Sequence, residues 1–263
     1  MRIVTWNVNS IRIRLDALRR IADALEPDVL CLQEIKAQAE TFPAKEIAAM
    51  GFPHQIVRGM KSYNGVAILS RMPATETGTR DWCTRTDCRH VAAEIGAPAA
   101  ELHNFYVPAG GDEPDPAVNE KFAHKLAFLA EAEAWSRDLS PDGRRILVGD
   151  LNIAPLETDV WSHAQLLKVV SHTPVEVEGL TRWMAAHGWV DAVRRIVPET
   201  EKIYSWWSYR NRDWPGSDRG RRLDHIWVSP ALAGSVANAG IFRDARGWEK
   251  PSDHVPVWAD IDL

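Results

Sequence analysis

What most constrains this chain is a series of short apolar runs of strand length, several of which stop on an acid or an amide. Arg2 to Val8 reads as the first strand and Asp28 to Gln33 as a second, buried one. Further runs follow at Gly65 to Ser70, His90 to Ile95, Glu101 to Val107 and Arg145 to Gly149, and late in the chain at Leu223 to Ser229, Ala237 to Phe242 and Val255 to Ile261. Between the first two, Leu15, Leu18, Ile21, Ala22 and Leu25 recur at helical spacing until Pro27 stops the helix. Helical patterns also occupy Pro116 to Arg137 and Val175 to His187. Many strands with helices scattered among them suit two packed sheets covered by helices, although the same periodicity also describes an open α/β sheet.

At 263 residues the chain can bury a large core, and its length allows one or two domains. No Pro-, Gly- or Ser-rich linker divides it, and the Pro- and acid-rich stretch Gly110 to Pro116 has the size of one surface loop, so residues 1–263 are expected to form a single domain. No run approaches the roughly 20 apolar residues of a membrane span, and the opening Met1-Arg2-Ile3-Val4-Thr5-Trp6 is no signal peptide. A cytoplasmic protein without membrane contact is therefore expected. Cys31, Cys83 and Cys88 are odd in number and lack zinc spacing, which argues against a disulfide framework or a structural zinc site. A net charge of −5 argues against binding nucleic acid through global positive charge. A local basic face remains open, because arginine is dense from Arg194 to Arg222 and interleaved with Tyr204, Trp206, Trp207, Tyr209 and Trp214.

Polar residues gather at the ends of the apolar strands: Asn7 after the first, Gln33 and Glu34 after the second, Asp150 and Asn152 after Ile146-Leu147-Val148. Asp224 opens another strand, and Ser252-Asp253-His254 directly precedes the last. Strand ends on a rigid scaffold can aim side chains at one rim. Singly, each of these residues is more often a turn former, a helix cap or a structural histidine. Together, Gly149-Asp150-Leu151-Asn152 and Ser252-Asp253-His254-Val255-Pro256 set more acid and hydrogen-bonding groups against apolar strands than a turn requires. These residue types suit phosphodiester cleavage, which needs a hard cation on oxygen ligands, a carboxylate-activated water and donors for the developing phosphate charge. Glu34 is the first metal-ligand candidate; zinc fits less well, because the histidines do not cluster at ligand spacing. Asp253 beside His254 is expected to orient the imidazole and favour its protonated form.

At these residues the chain resembles the exonuclease III branch of the endonuclease/exonuclease/phosphatase superfamily. The resemblance runs through Trp6-Asn7-Val8-Asn9, Leu32-Gln33-Glu34-Ile35-Lys36, Gly65-Val66-Ala67 and Asn104-Phe105-Tyr106-Val107-Pro108, then Gly149-Asp150-Leu151-Asn152, Tyr204-Ser205-Trp206-Trp207, Arg222-Leu223-Asp224 and Lys250-Pro251-Ser252-Asp253-His254. Each block alone is modest; all of them in order are specific. The resemblance implies a four-layer α/β sandwich, deoxyribonuclease I-like, with two packed β-sheets flanked by helices and an active site at one rim. It also implies Mg2+-dependent hydrolysis of the DNA backbone 5′ to abasic sites, with 3′-end repair and 3′-to-5′ exonuclease activity on duplex DNA. Mg2+ is the implied cofactor, Mn2+ its substitute, and the protein is expected to act as a monomer on double-stranded, especially abasic, DNA.

Carried over by position, Asn7, Glu34, Asp150, Asn152 and Asp253 become the metal candidates, and Tyr106, Asp150, Asn152, Asp224, Asp253 and His254 the catalytic ones. Asp150 would activate or orient water, Asn152 would position it, and His254 with Tyr106 would stabilise charge on the phosphate. Whether Asp224 acts through metal or through a hydrogen bond stays open. Trp206 falls where the family lines a pocket for a flipped abasic sugar, and Arg210, Arg212, Arg221 and Arg222 belong to a stretch where family members grip DNA. By its neighbourhood alone, Trp206 could equally be a core residue. His225, where relatives often carry an apolar or tyrosine side chain, could be an extra metal or phosphate contact; its place in an alternating strand favours the opposite layer. The loop Asn211 to Gly220 follows no family pattern. Two rival readings are another phosphoesterase of the superfamily, a general nuclease or a small-molecule or lipid phosphoesterase, and a non-catalytic DNA-binding module.

Overall fold

A computed structural model describes residues Met1–Leu263. Twelve strands form two six-stranded sheets. The strands are β1 (Arg2–Asn7), β2 (Val29–Gln33), β3 (His54–Met60), β4 (Tyr63–Ser70), β5 (Ala74–Gly78), β6 (His90–Ile95), β7 (Ala100–Tyr106), β8 (Arg145–Asp150), β9 (Val190–Asp191), β10 (Asp224–Val228), β11 (Val236–Ile241) and β12 (Val257–Ile261). The first sheet runs β11-β12-β1-β2-β4-β3 and the second β5-β6-β7-β8-β10-β9. The helices are α1 (Leu15–Leu25), α2 (Ala44–Ala49), α3 (Glu120–Arg137), α4 (His163–Leu166), α5 (Pro174–His187), α6 (Ala192–Ile196) and α7 (Trp214–Ser217).

The layers follow from strand alternation. On β1, Ile3 faces the other sheet while Val4 and Trp6 face outward; on β2, Val29 and Cys31 face inward while Leu30 and Leu32 face outward. Inward residues of both sheets, Val66, Ile68, Leu102, Ile146, Val148, Ile226 and Val257 among them, make one buried cluster between the sheets. Outward residues of the first sheet pack on Leu18, Ile21 and Leu25 of α1 and Ile47 of α2. Leu147 and Trp227 of the second sheet pack on Phe128 and Leu129 of α3 and Leu180 and Trp183 of α5. The result is helix, sheet, sheet, helix: the four-layer α/β sandwich.

Strands read from apolar runs lie where expected, shifted by one or two residues. Three were not legible. β3, β5 and β9 are edge strands, partly exposed and without an apolar run, because an edge has less core to face.

The same alternation builds the rim. Inward positions of the central strands turn polar at one end: Asn7 on β1, Gln33 on β2, Asn104 and Tyr106 on β7, Asp150 on β8, Asp224 on β10. Pairing brings them level, with Asn7 opposite Gln33, and with Asp150 between Tyr106 and Asp224. Just inside the rim, Gln33 Nε2 donates across the gap to Asn104 Oδ1 at 2.7 Å, and Asn104 Nδ2 donates back to the Leu32 and Ala67 carbonyls. The two sheets are thus joined by hydrogen bonds where their apolar contact ends.

Gly149, beside Asp150, has φ +148°, and a Cβ there would lie 1.9 Å from the Phe105 carbonyl oxygen of the neighbouring strand. Gly149→Ala must therefore part β7 from β8. It is expected to cost about 2 to 4 kcal/mol and lower the melting midpoint by about 5 °C or more. A midpoint equal to the parent's in scanning calorimetry would contradict this packing.

Candidate active site

Asn7, Asp150, Asp224 and His254 are all buried at the rim. Asn7 Nδ2 donates to Glu34 Oε1 at 2.9 Å and to Asp150 Oδ2 at 2.8 Å, so one amide joins carboxylates carried by different sheets. Tyr106 donates its hydroxyl to the same Glu34 oxygen at 2.8 Å. His254 Nδ1 lies 2.8 Å from Asp224 Oδ2, and its Nε2 lies 3.6 Å from Asp150 Oδ2. Asn152, in left-handed backbone with φ +55°, donates its N–H to Asp150 Oδ1 at 3.0 Å and its side-chain amide to the Val107 carbonyl at 2.9 Å. Asn9 at φ +45°, Glu34 at +49° and Lys36 at +51° are left-handed too. Such backbone is sparsely populated for residues other than glycine and persists where surrounding contacts impose it.

Burial dominates the electrostatics. It drives the Asp150 carboxyl up; His254 opposes this, Asp224 adds to it, and the pKa is pushed up to about 7. Burial works against the charged His254 imidazole, but Asp224 and Asp150 outweigh it and raise its pKa to about 10. Glu34 behaves oppositely: hydrogen bonds from Asn7 and Lys36 overcome its burial and hold it below the usual carboxylate range.

Above this cluster opens a cavity of about 770 Å³ whose lining includes Glu34, Tyr106, Asn152, Trp206, Asp253 and His254. Arg210, Arg219 and Arg221 also line it. The segment Ser205–Trp207 is stitched between Arg221 and Asp253–Val255 by backbone hydrogen bonds, which presents Trp206 to the cavity and buries Trp207 in the core behind α1 and β1. The 5.2 Å approach of the Arg221 guanidinium to the Trp206 ring fixes that wall further.

The donor set suits a hard divalent cation. Glu34, Asp150, Asp224 and Asp253 converge with Lys36 and His254 as the cations nearest them, and all the acids offer oxygen. Asp150, Asp224 and His254 bring ligand atoms within 4.8 Å of one another. His254 Nδ1 occupies Asp224 Oδ2, whereas Asp224 Oδ1 is buried without a hydrogen-bond partner.

The chain belongs to the Endonuclease/Exonuclease/phosphatase family, whose pattern matches residues 4–254. It is similar to exodeoxyribonuclease III of Haemophilus influenzae, with 31% identity over 274 residues covering 99% of this chain and 100% of that protein. Among solved structures, an AP endonuclease from Archaeoglobus fulgidus matches with a TM-score of 0.92 at 30% identity over 100% of both chains. NExo, a 3′ phosphatase from Neisseria bound to product DNA hairpin, matches at 0.89 and 30%, again over 100% of both. The chain is a nuclease, a phosphodiester hydrolase with the deoxyribonuclease I-like sandwich.

Several expectations need correction. Asp224, not Asp253, orients His254, because Asp253 turns to accept from Asn9 Nδ2 at 3.0 Å and Trp206 Nε1 at 2.9 Å. His225, by contrast, faces the outer layer as its place in an alternating strand favoured, with its Nε2 at the Ile153 carbonyl and its Nδ1 at Arg222. Arg222 is buried, paired with Asp159 at 2.7 Å and Asp191 at 2.7 Å, and presents nothing to DNA. Arg194 is tied to the same Asp159. Arg210 and Arg212 are exposed, and Arg221 spends its guanidinium on the Val170 carbonyl, Ser171 and Trp206. The loop 211–220 contains the short helix α7, with Trp214 packed on Trp207 and Asp218 accepting from Trp207 Nε1.

Asn9 and Lys36 escaped assignment. Lys36 reaches Glu34 Oε2 at 2.8 Å and Asn9 Oδ1 at 2.7 Å, and Asn9 passes the link to Asp253. A lysine two residues beyond the key acid was the one hint in the sequence. Arg222→Ala should leave Asp159 and Asp191 without their buried partner and cost about 3 to 5 kcal/mol. Arg212→Ala should change stability by less than about 0.5 kcal/mol. Paired urea melts would decide, and equal midpoints would return Arg222 to the surface.

Proposed function

We propose that this protein is a Mg2+-dependent DNA repair phosphodiesterase of the cytoplasm, acting as a monomer. It would hydrolyse the duplex backbone 5′ to abasic sites, with 3′-end repair and 3′-to-5′ exonuclease activity as companion reactions, and Mn2+ would replace Mg2+. The observation that carries the reading is the cavity itself: an acid and imidazole floor for phosphate chemistry, with Trp206 in its wall and arginines at its edge.

The residues divide the work. Asp150, with its pKa near neutrality, is suited to take a proton from water. Asn152, its nitrogen committed to Val107, keeps its amide oxygen to accept from that water. His254 carries a positive charge beside Asp150, where it offsets negative charge developing on a phosphate oxygen. Tyr106 adds a hydroxyl donor already ordered by Glu34. A divalent cation held by Glu34 and Asn7, with Asp150, Asn152 and Asp253 as further donors, would supply Lewis-acid polarisation of the phosphate. Arg210 and Arg212 would hold backbone phosphates. Damage recognition falls to Trp206: rotating out a nucleotide costs a few kcal/mol and least where the base is missing, and a flat apolar wall accepts a bare sugar.

EDTA is expected to abolish cleavage, and Asp150→Asn to lower turnover by about 100-fold or more while DNA affinity stays within a few-fold. Single-turnover rates on matched duplexes, with and without one abasic analogue, test substrate choice. The abasic duplex should be cut far faster, and Trp206→Ala should narrow the ratio. Equal rates on the two duplexes would leave a general nuclease, and undiminished cutting in EDTA would end the metal-dependent mechanism.

A further inference from the structure

Behind the cavity wall lies an ion pair that the chemistry above does not use. Lys125 of α3 and Glu176 in the first turn of α5 both have fully buried side chains and contact each other. A buried pair is poor evidence of stability, since well-packed apolar residues often serve as well. What this pair touches suggests another use. Lys125 Nζ donates to the Asn152 carbonyl at 2.8 Å and to the Ala109 carbonyl at 3.3 Å. Glu176 accepts the Ser171 N–H on both oxygens, at 3.0 and 2.9 Å, and the Thr173 N–H and hydroxyl. Ala109, Asn152 and Ser171 all line the cavity.

Two of the three are non-glycine residues in left-handed backbone, Asn152 at φ +55° and Ser171 at φ +90°. Such conformations persist only when neighbours impose them. Lys125 clamps the first and Glu176 the second. The consequence passes outward: Ser171 Oγ accepts from Arg221 Nη1 at 2.7 Å, the Val170 carbonyl accepts from the same nitrogen at 2.9 Å, and that guanidinium lies against Trp206.

We propose that Lys125 and Glu176 are positioning residues for the nuclease reaction: one buried pair that sets Asn152 over the reacting phosphate and sets the Ser171, Arg221 and Trp206 wall against it. This deepens the functional reading, resting on its assignment of the cavity as the reaction site. Neither residue touches substrate. Their contribution is geometric, and small displacements of a positioned group are costly to turnover.

The test is the paired change Lys125→Met with Glu176→Leu, which removes both charges and strands neither, beside the near-isosteric Glu176→Gln alone. Rates are measured on whichever DNA the parent cuts fastest. A parent indifferent to abasic sites would thus overturn the substrate assignment and leave this comparison intact. In the folded paired variant kcat is expected to fall about tenfold or more, with KM and the half-saturating Mg2+ concentration within about threefold of the parent. Glu176→Gln should move kcat in the same direction by less. A folded paired variant with parental kcat would overturn the proposal, as would a loss recovered by raising Mg2+. If the paired variant does not fold, Glu176→Gln decides by the same criteria, and its unfolding at the assay temperature would assign the pair to stability and overturn the proposal too.

Discussion

The structure depends on one amide. Two sheets pack apolar face to apolar face, and at the rim the inward positions become polar, so each polar group must find a partner across the gap or bear the penalty of burial without one. Asn7 answers this by donating to Glu34 on its own sheet and to Asp150 on the other. The exchange between Gln33 and Asn104 forms a second rung beneath it. These bonds fix how the sheets lie on each other at the candidate site, and they place carboxylates closer together than unpaired charges would tolerate.

That closeness sets the electrical character of the site. His254 becomes cationic because Asp224 and Asp150 flank it, and Asp150 is held near neutrality because it is buried among other acids. Glu34 stays ionised through Asn7, Lys36 and Tyr106. Two carboxylates with opposed tendencies, one primed to exchange a proton and one to remain charged, thus arise from burial and partners, not from residue type. The left-handed backbone at Asn9, Glu34, Lys36 and Asn152 is the conformational cost of turning these side chains inward.

Much of this was legible in the sequence, for reasons that also mark its limits. Apolar runs and polar strand ends encode burial and alternation directly, so the central strands, the helices α1, α3 and α5, and the rim set Asn7, Glu34, Asp150, Asp224 and His254 could be read. The edge strands β3 and β5 could not, because they lack the apolar signal of a covered face. Pairings distant in sequence were hidden as well. Nothing local says that Arg222 is neutralised by Asp159 and Asp191, or that His254 turns to Asp224 rather than to its neighbour Asp253. An arginine-rich stretch therefore read as a DNA-binding face, although its most buried member holds loops together. Lys125 and Glu176 were illegible for the same reason, since a charged residue in a helix ordinarily faces water.

The proposed function places a hard divalent cation among the rim acids, at the Glu34 end of the cavity. Anomalous diffraction from crystals of the protein soaked in Mn2+ tests it most directly. The expected result is a strong peak against the Glu34 carboxylate, lost in Glu34→Gln crystals treated identically. A peak on Asp224 and His254 instead, or no ordered Mn2+ at the rim while the protein still cleaves DNA, would contradict it.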